Sequence, residues 1–206
     1  MITEFYKEKD YPSGNHRNFI GGAWEEIGQL QYEMLKANGV LPHHKVLDIG
    51  CGCLRLGIKL IPYLNKSNYY GIDIVESLIQ DGLKKELASD IIKKKAPIFL
   101  ANGDFQFSDF NTSFDFMIAQ SVFTHLPLDR VRQCLIKVKE SLKTKGIFFA
   151  TIFEAPSVGS TTYSEPYYVH PSFYENLSRE VGLEYEYIGE WNHPRKQKLL
   201  KFSHLS

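Results

Sequence analysis

The densest chemistry in this chain is Val46-Leu47-Asp48-Ile49-Gly50-Cys51-Gly52, an apolar run that closes on an acid and a glycine-rich turn. Glycine reaches backbone dihedrals closed to other residues and lets a ligand approach the main chain. A second acid, Asp73, ends the next apolar run, 21 residues after Gly52. An acid in that place suits a ribose diol. A nicotinamide dinucleotide uses the same layout, but with G-x-G-x-x-G, and position 55 is Arg. Asp48 also puts negative charge where a dinucleotide's phosphates would lie, so a cationic ligand is better tolerated. The plain alternative is a tight turn with no ligand.

Three further groups bear on a substrate. His125, in Ser121-Val122-Phe123-Thr124-His125-Leu126, offers an imidazole that suits a general base; alternatively it orders the loop before Pro127. In the tail, Tyr167, Tyr168 and His170 precede Trp191-Asn192-His193-Pro194-Arg195. Arg195 offers a rigid fork for a carboxylate or phosphate. His193 and Asn192 suit hydroxyls, and Tyr168 and Trp191 suit a ring or a sugar face. The same stretch also reads as a polar hairpin turn with Trp191 anchored in the core. Near the amino terminus, His16 and Arg17 lie in a polar, turn-rich arm, either a lid over a cleft or a terminus with little structure.

The elements that must position these residues follow from hydrophobic spacing. Residues 22–38 repeat apolar side chains at helical spacing, and Gly39 and Pro42 stop them. A βα rhythm follows: strands at 46–49, 69–73, 98–101, 114–119 and 147–153, with helices near 54–64, 76–89 and 128–142. A helix at 171–180 and strands at 183–188 and 198–202 complete the chain. Near-continuous apolar strands alternating with helices imply an α/β fold: a doubly wound, seven-stranded, mostly parallel sheet. A helical or lid-like extension precedes it. The late pair reads as a hairpin closing the far edge. Residues 1–206 form one expected domain: an arm and helix over 1–43, a ligand-binding core over 44–153, and a substrate-side loop, helix and last two strands over 154–206.

Lys plus Arg and Asp plus Glu both number 24, so no net charge draws the chain to nucleic acid. Lys93-Lys94-Lys95 reads as a solvated helix end. Cys51, Cys53 and Cys134 form neither a disulfide framework nor a zinc site, and no metal-ligand set is expected. No signal-peptide pattern or membrane-length apolar run occurs, so a cytoplasmic protein with no membrane partner is expected. Monomer and homodimer both stay open.

Five positions together resemble the class I, Rossmann-like S-adenosylmethionine-dependent methyltransferases. Asp48-Ile49-Gly50-Cys51-Gly52 resembles the motif that wraps the methionine part of the cofactor. Asp73, followed by Ile74, resembles the ribose-holding acid. Gly103-Asp104-Phe105 is similar to the segment that meets the adenine. Phe114 to Ser121, with Gln120, resembles the motif beneath the cofactor, and Leu142 to Phe149 the turn into the fifth strand. The resemblance spans about residues 44–153. It implies S-adenosylmethionine as cofactor, S-adenosylhomocysteine as product, and cofactor contacts from Asp48, Gly50, Cys51, Gly52, Asp73, Ile74, Asp104, Phe105 and Gln120. It departs at Leu54, where the usual pattern has a third glycine, so an altered loop is expected. By analogy with small-molecule and glycan O-methyltransferases, the expected acceptor is a hydroxyl on a small molecule or sugar. His125 would be the base, and Arg17, Tyr168, His170, His193 and Arg195 would line the substrate. A non-catalytic cofactor-binding regulatory domain and an NAD-dependent oxidoreductase stand as alternatives.

Overall fold

The computed structural model describes residues 15–162 and 164–205. The first fourteen residues of the expected arm therefore lie outside the described residues. Seven strands form one sheet in the order 3-2-1-4-5-7-6. The chain divides into two compact units, one ending at Asp104 and the other beginning at Phe105.

The first unit opens with a short helix, α1 (His16–Phe19), and α2 (Trp24–Ala37). On α2 the buried residues Trp24, Ile27, Gln31, Met34 and Leu35 recur at helical spacing. Gly39, at φ 90°, then ends the helix. Strands β1 (Val46–Ile49) and β2 (Tyr69–Asp73) are buried along nearly their whole length, as the apolar runs required. β1 pairs parallel with β2, and β2 with β3 (Ile98–Ala101). Between them run α3 (Gly57–Tyr63), α4 (Glu76–Lys85) and α5 (Ser89–Lys95).

Two boundaries differ from expectation. The helix expected from 54 starts at Gly57, because Leu54 takes a left-handed conformation at φ 71°. The helix expected over 76–89 stops at Lys85, and α5 follows separately. No residue of α5 is buried, so it leaves no apolar period in the sequence. Lys93, Lys94 and Lys95 sit in its last turn, where cations complement the helix dipole. Close packing in this unit needs a glycine at position 82. A Cβ there would lie 2.6 Å from the Cys53 carbonyl oxygen, so α4 reaches the turn after β1 only without a side chain.

The second unit holds β4 (Phe114–Ala119), α6 (Leu128–Ser141), β5 (Leu142–Ile152), α7 (Pro171–Val181), β6 (Leu183–Gly189) and β7 (Lys198–His204). β4 and β5 are parallel, while β7 runs antiparallel to both β5 and β6. The expected terminal hairpin is thus present. β5 begins at Leu142, ahead of the expected 147, with a register shift opposite Phe114–Phe116. The core is strongly aromatic. Phe123 stacks on Tyr174 at 5.9 Å and Phe148 on Phe202 at 5.5 Å, and all four are fully buried. Much of the chain's aromatic content therefore builds core. Among the described residues, no helix is long and apolar enough to cross a membrane.

Candidate functional site

In the first unit, β1 delivers Asp48 and then ends as Gly50 (φ 70°) and Gly52 (φ 51°) pass through the left-handed region. The Gly50 and Cys51 N–H groups both donate to Ile72 O, at 2.7 and 3.1 Å, tying the turn to β2. Gly52 N–H donates to Asp73 Oδ2 at 2.8 Å, and Val75 N–H to Asp73 Oδ1 at 2.9 Å. The glycine turn and the second acid, far apart in sequence, meet directly. A carboxylate oxygen that has accepted one bond keeps a further acceptor site. Asp73 can therefore still take a pair of hydroxyls. Burial raises its carboxyl above the ordinary range, and the N–H groups of Val75, Gly52 and Ile74 pull it back.

Asp48 is 4 % exposed and accepts the Tyr69 hydroxyl at 2.7 Å. Burial pushes its carboxyl up to about 7; the Tyr69 hydrogen bond lowers it, the Asp73 charge raises it and Arg55 lowers it. Two desolvated acids beside one turn match a cation far better than a phosphate. The donor set fits a positively charged nucleoside such as a sulfonium. The Cys51 N–H serves the turn, while burial raises its thiol well above the usual range; burial likewise pushes Cys53 up to about 12. Neither is a nucleophile near neutrality. Ile74 is half-buried next to Asp73. Asp104 is exposed, its N–H donating to Asn102 Oδ1 at 2.7 Å, while Asn102 N–H donates to Asp73 O at 2.9 Å. The loop bearing Asp104 is thereby tied to the backbone of Asp73.

Arg17, expected at a substrate, is bound within its own unit. Its Nε and Nη2 donate to the Glu86 carboxylate at 2.8 and 2.5 Å, and its guanidinium lies 4.8 Å from the Trp24 ring centroid. His16 Nε2 reaches the same carboxylate at 2.5 Å. Glu86 is held below the usual carboxylate range, chiefly by the Arg17 hydrogen bond. This clasp lays the residue after α1 on the glycine turn: a Cβ at Gly52 would meet Ile20 Cγ2 at 3.1 Å. No motif marks Glu86, whose partners lie 69 and 70 residues away.

In the second unit, β4 ends on a buried polar cluster. Gln120, Gln197 and His193 are 7, 1 and 4 % exposed. The Gln120 side chain stands 3.3 Å from both His193 Nε2 and Gln197 Oε1. Ser121, at φ 59°, donates its N–H to Thr151 Oγ1 at 2.7 Å and accepts Gln197 Nε2–H at 2.6 Å. A non-glycine residue in that region is strained unless its surroundings hold it. Here Thr151 of β5 and Gln197 before β7 hold it. Gln120 and His193, predicted separately, are brought together. Gln197 and Thr151 were not predicted, and nothing local in their sequence marks them.

The strained serine launches a 3₁₀ turn, Phe123–His125, that presents His125 exposed. His125 Nδ1 is paired with the Glu165 carboxylate. Tyr168 stacks on Phe153 with ring centroids 5.0 Å apart. His170 instead caps α7, its Nδ1 accepting Ser172 N–H at 3.2 Å. His193 stacks on Trp191 at 5.3 Å and accepts Arg195 N–H on Nδ1, while the Arg195 side chain is exposed. Trp191 is anchored, its Nε1–H donating to Gln197 O at 2.9 Å. Phe105 is buried in a left-handed conformation under Arg130, whose guanidinium lies 5.2 Å from the ring centroid. Among the described residues, no His, Cys, Asp or Glu side chains gather in a metal-binding group.

Residues 47–148 match the family model described as a methyltransferase domain. The fold is similar to magnesium protoporphyrin IX methyltransferase from Synechocystis PCC 6803 with bound S-adenosylmethionine. That match has 17% identity and a TM-score of 0.69, and covers 99% of this chain and 95% of that one. A glycopeptide N-methyltransferase complexed with S-adenosylhomocysteine matches with 11% identity and a TM-score of 0.67, covering 86% of this chain and 90% of that one. Streptomyces venezuelae DesVI matches with 12% identity and a TM-score of 0.67, covering 95% of this chain and all of the other.

Proposed function

Because the chain belongs to the class I, Rossmann-like S-adenosylmethionine-dependent methyltransferases, we propose that it methylates a hydroxyl of a small molecule or sugar precursor, with His125 as general base. The observation that carries this reading is the exposure of His125 on a turn that is separated from β4 by three residues and is fixed by the strained Ser121. The carboxyl ends of parallel strands are where this architecture takes its ligands. The cofactor supplies an electrophilic methyl group on a positively charged sulfur. Asp73 would accept its ribose hydroxyls, the Gly50–Gly52 backbone and Asp48 would face its methionine part, and Asp104 would meet its adenine. His125 would take the proton that an acceptor hydroxyl must lose. Tyr168, His193 and Arg195 remain proposed substrate contacts. A reducing, cytoplasmic setting suits three buried free thiols.

Calorimetric titration with S-adenosylmethionine and, separately, NAD tests the cofactor reading. The former alone should bind. Asp73→Ala should weaken it about ten- to a hundredfold, the cost of charge-assisted hydrogen bonds worth about 1.5–3 kcal/mol. Unchanged affinity would discard the proposed ribose contact. His125→Ala should leave that affinity intact and lower turnover of hydroxyl acceptors about a hundredfold or more. Turnover of amine but not hydroxyl acceptors would reassign the chemistry to nitrogen.

A further inference from the structure

The pairing of His125 with Glu165 is not explained by stability. Their side chains are 50 and 34 % exposed, and ion pairs so accessible to water add little to folding. Nor is the contact needed to seat the loop that carries Glu165. Tyr167 N–H donates to Thr124 O at 2.8 Å, Tyr168 N–H to Thr162 Oγ1 at 2.9 Å and Val169 N–H to Phe153 O at 3.0 Å. The Phe153–Tyr168 stack adds a further anchor. These bonds fix the backbone two residues from Glu165, on the very turn that bears His125. On the other side, Thr151 and Gln197 fix Ser121, where that turn starts. Ring and carboxylate are thus each delivered by backbone held through other contacts. The other histidines of this unit are committed differently. His170 caps a helix, His193 is buried against Trp191, and His204 Nε2 meets Leu142 O at 2.9 Å. Among the described residues of this unit, His125 is the exposed imidazole with a carboxylate on its ring.

We propose that Glu165 is the positioning residue for His125: its carboxylate holds the neutral ring in the Nδ1–H tautomer and leaves Nε2 to take the acceptor's proton. The proposal rests on the base role given to His125 above. A neutral imidazole carries one proton on two nitrogens, and the hydrogen bond at one decides the job of the other. In water the Nε2–H form is preferred, and its lone pair sits on Nδ1. A carboxylate at Nδ1 reverses that preference and fixes the ring plane at the same time.

The test uses the full chain labelled with nitrogen-15. Long-range proton–nitrogen spectra, recorded where the ring is neutral and assigned by loss of signal in His125→Gln, should show the Nδ1–H tautomer. Glu165→Ala should return the ring to Nε2–H. Glu165→Gln, which still presents an oxygen acceptor, should keep the original tautomer. S-adenosylmethionine affinity should be the same in all. With catechol and methyl α-glucoside as probe acceptors, Glu165→Ala should lower kcat about ten- to a hundredfold with KM little changed. Glu165→Gln should recover part of that loss. A wild-type ring in the Nε2–H form, or a tautomer indifferent to Glu165→Ala, overturns the proposal even where no probe is turned over. A tautomer as expected together with full kcat in His125→Ala overturns the base role itself, and with it the catalytic meaning of the pair.

Discussion

Leu54 shows how opposing effects on one residue are settled by magnitude. Its φ of 71° is a conformation that costs a non-glycine residue about 1–2 kcal/mol. Its side chain is fully buried, and removing a buried leucine side chain costs about 2–5 kcal/mol. Burial wins, so Leu54→Gly should destabilise the protein by about 1–3 kcal/mol although it relieves the backbone. Urea denaturation gives the difference; a more stable variant would show that backbone strain outweighs burial. The same residue marks what a sequence makes legible. Asp48, Gly50, Gly52 and Asp73 could be read because the strand–turn–acid order is written locally. That Leu54 takes a positive φ could not, since it and Cys53 lie against Gly82 of a later helix. Gln197 and Glu165 were silent for the same reason: each acts on a partner tens of residues away.

At the scale of elements, strands and long helices were legible wherever one face is buried. β4 was expected over 114–119 and runs there, and α6 and α7 differ by a residue at their ends. α5 was legible only as the solvated helix end at Lys93-Lys94-Lys95, because it buries nothing. α1 is different again: four residues long, it cannot be stable by itself and depends on its clasp. Glu86→Gln removes the charge that receives both Arg17 and His16. Amide hydrogen exchange over residues 16–22 should then quicken in the variant, while exchange in β2 should not change. Because Arg17 holds the Glu86 carboxyl below its usual range, the contribution of the clasp is present above the ordinary carboxylate pKa. It is lost as pH falls through the lowered value. Acidified wild type should therefore come to resemble the variant, and equal exchange in both at neutral pH would show the clasp to be idle.

For the whole molecule, proton linkage carries a second signature of opposite sign. Asp48 titrates near 7 when folded and near 3.8 in a free chain. Between those values the native protein binds more protons than the unfolded one, so stability falls as pH rises through the window and levels off above it. The drop amounts to about 4 kcal/mol. Asp48→Asn still accepts the Tyr69 hydroxyl but cannot ionise. It should flatten the stability curve between pH 4 and 7 and raise it at pH 8, measured by urea unfolding. An unaltered slope would place the linked group elsewhere. The sheet itself was the most legible feature, because the apolar runs of β1, β2, β4 and β5 and the helices between them leave few ways to bury their strands. The polar cluster under Ser121 was the least, since it exists only once β4, β5 and the β6–β7 connection are assembled.

Ile20 occupies the space a side chain at position 52 would take. The glycine turn thus has one wall made by the chain's own amino-terminal segment. For a nucleoside seated against that wall, entry and release would both wait on the segment. Loosening the clasp on Glu86 would then quicken both steps and leave the equilibrium affinity where it was, so its effect would be read in residence time and not in binding strength.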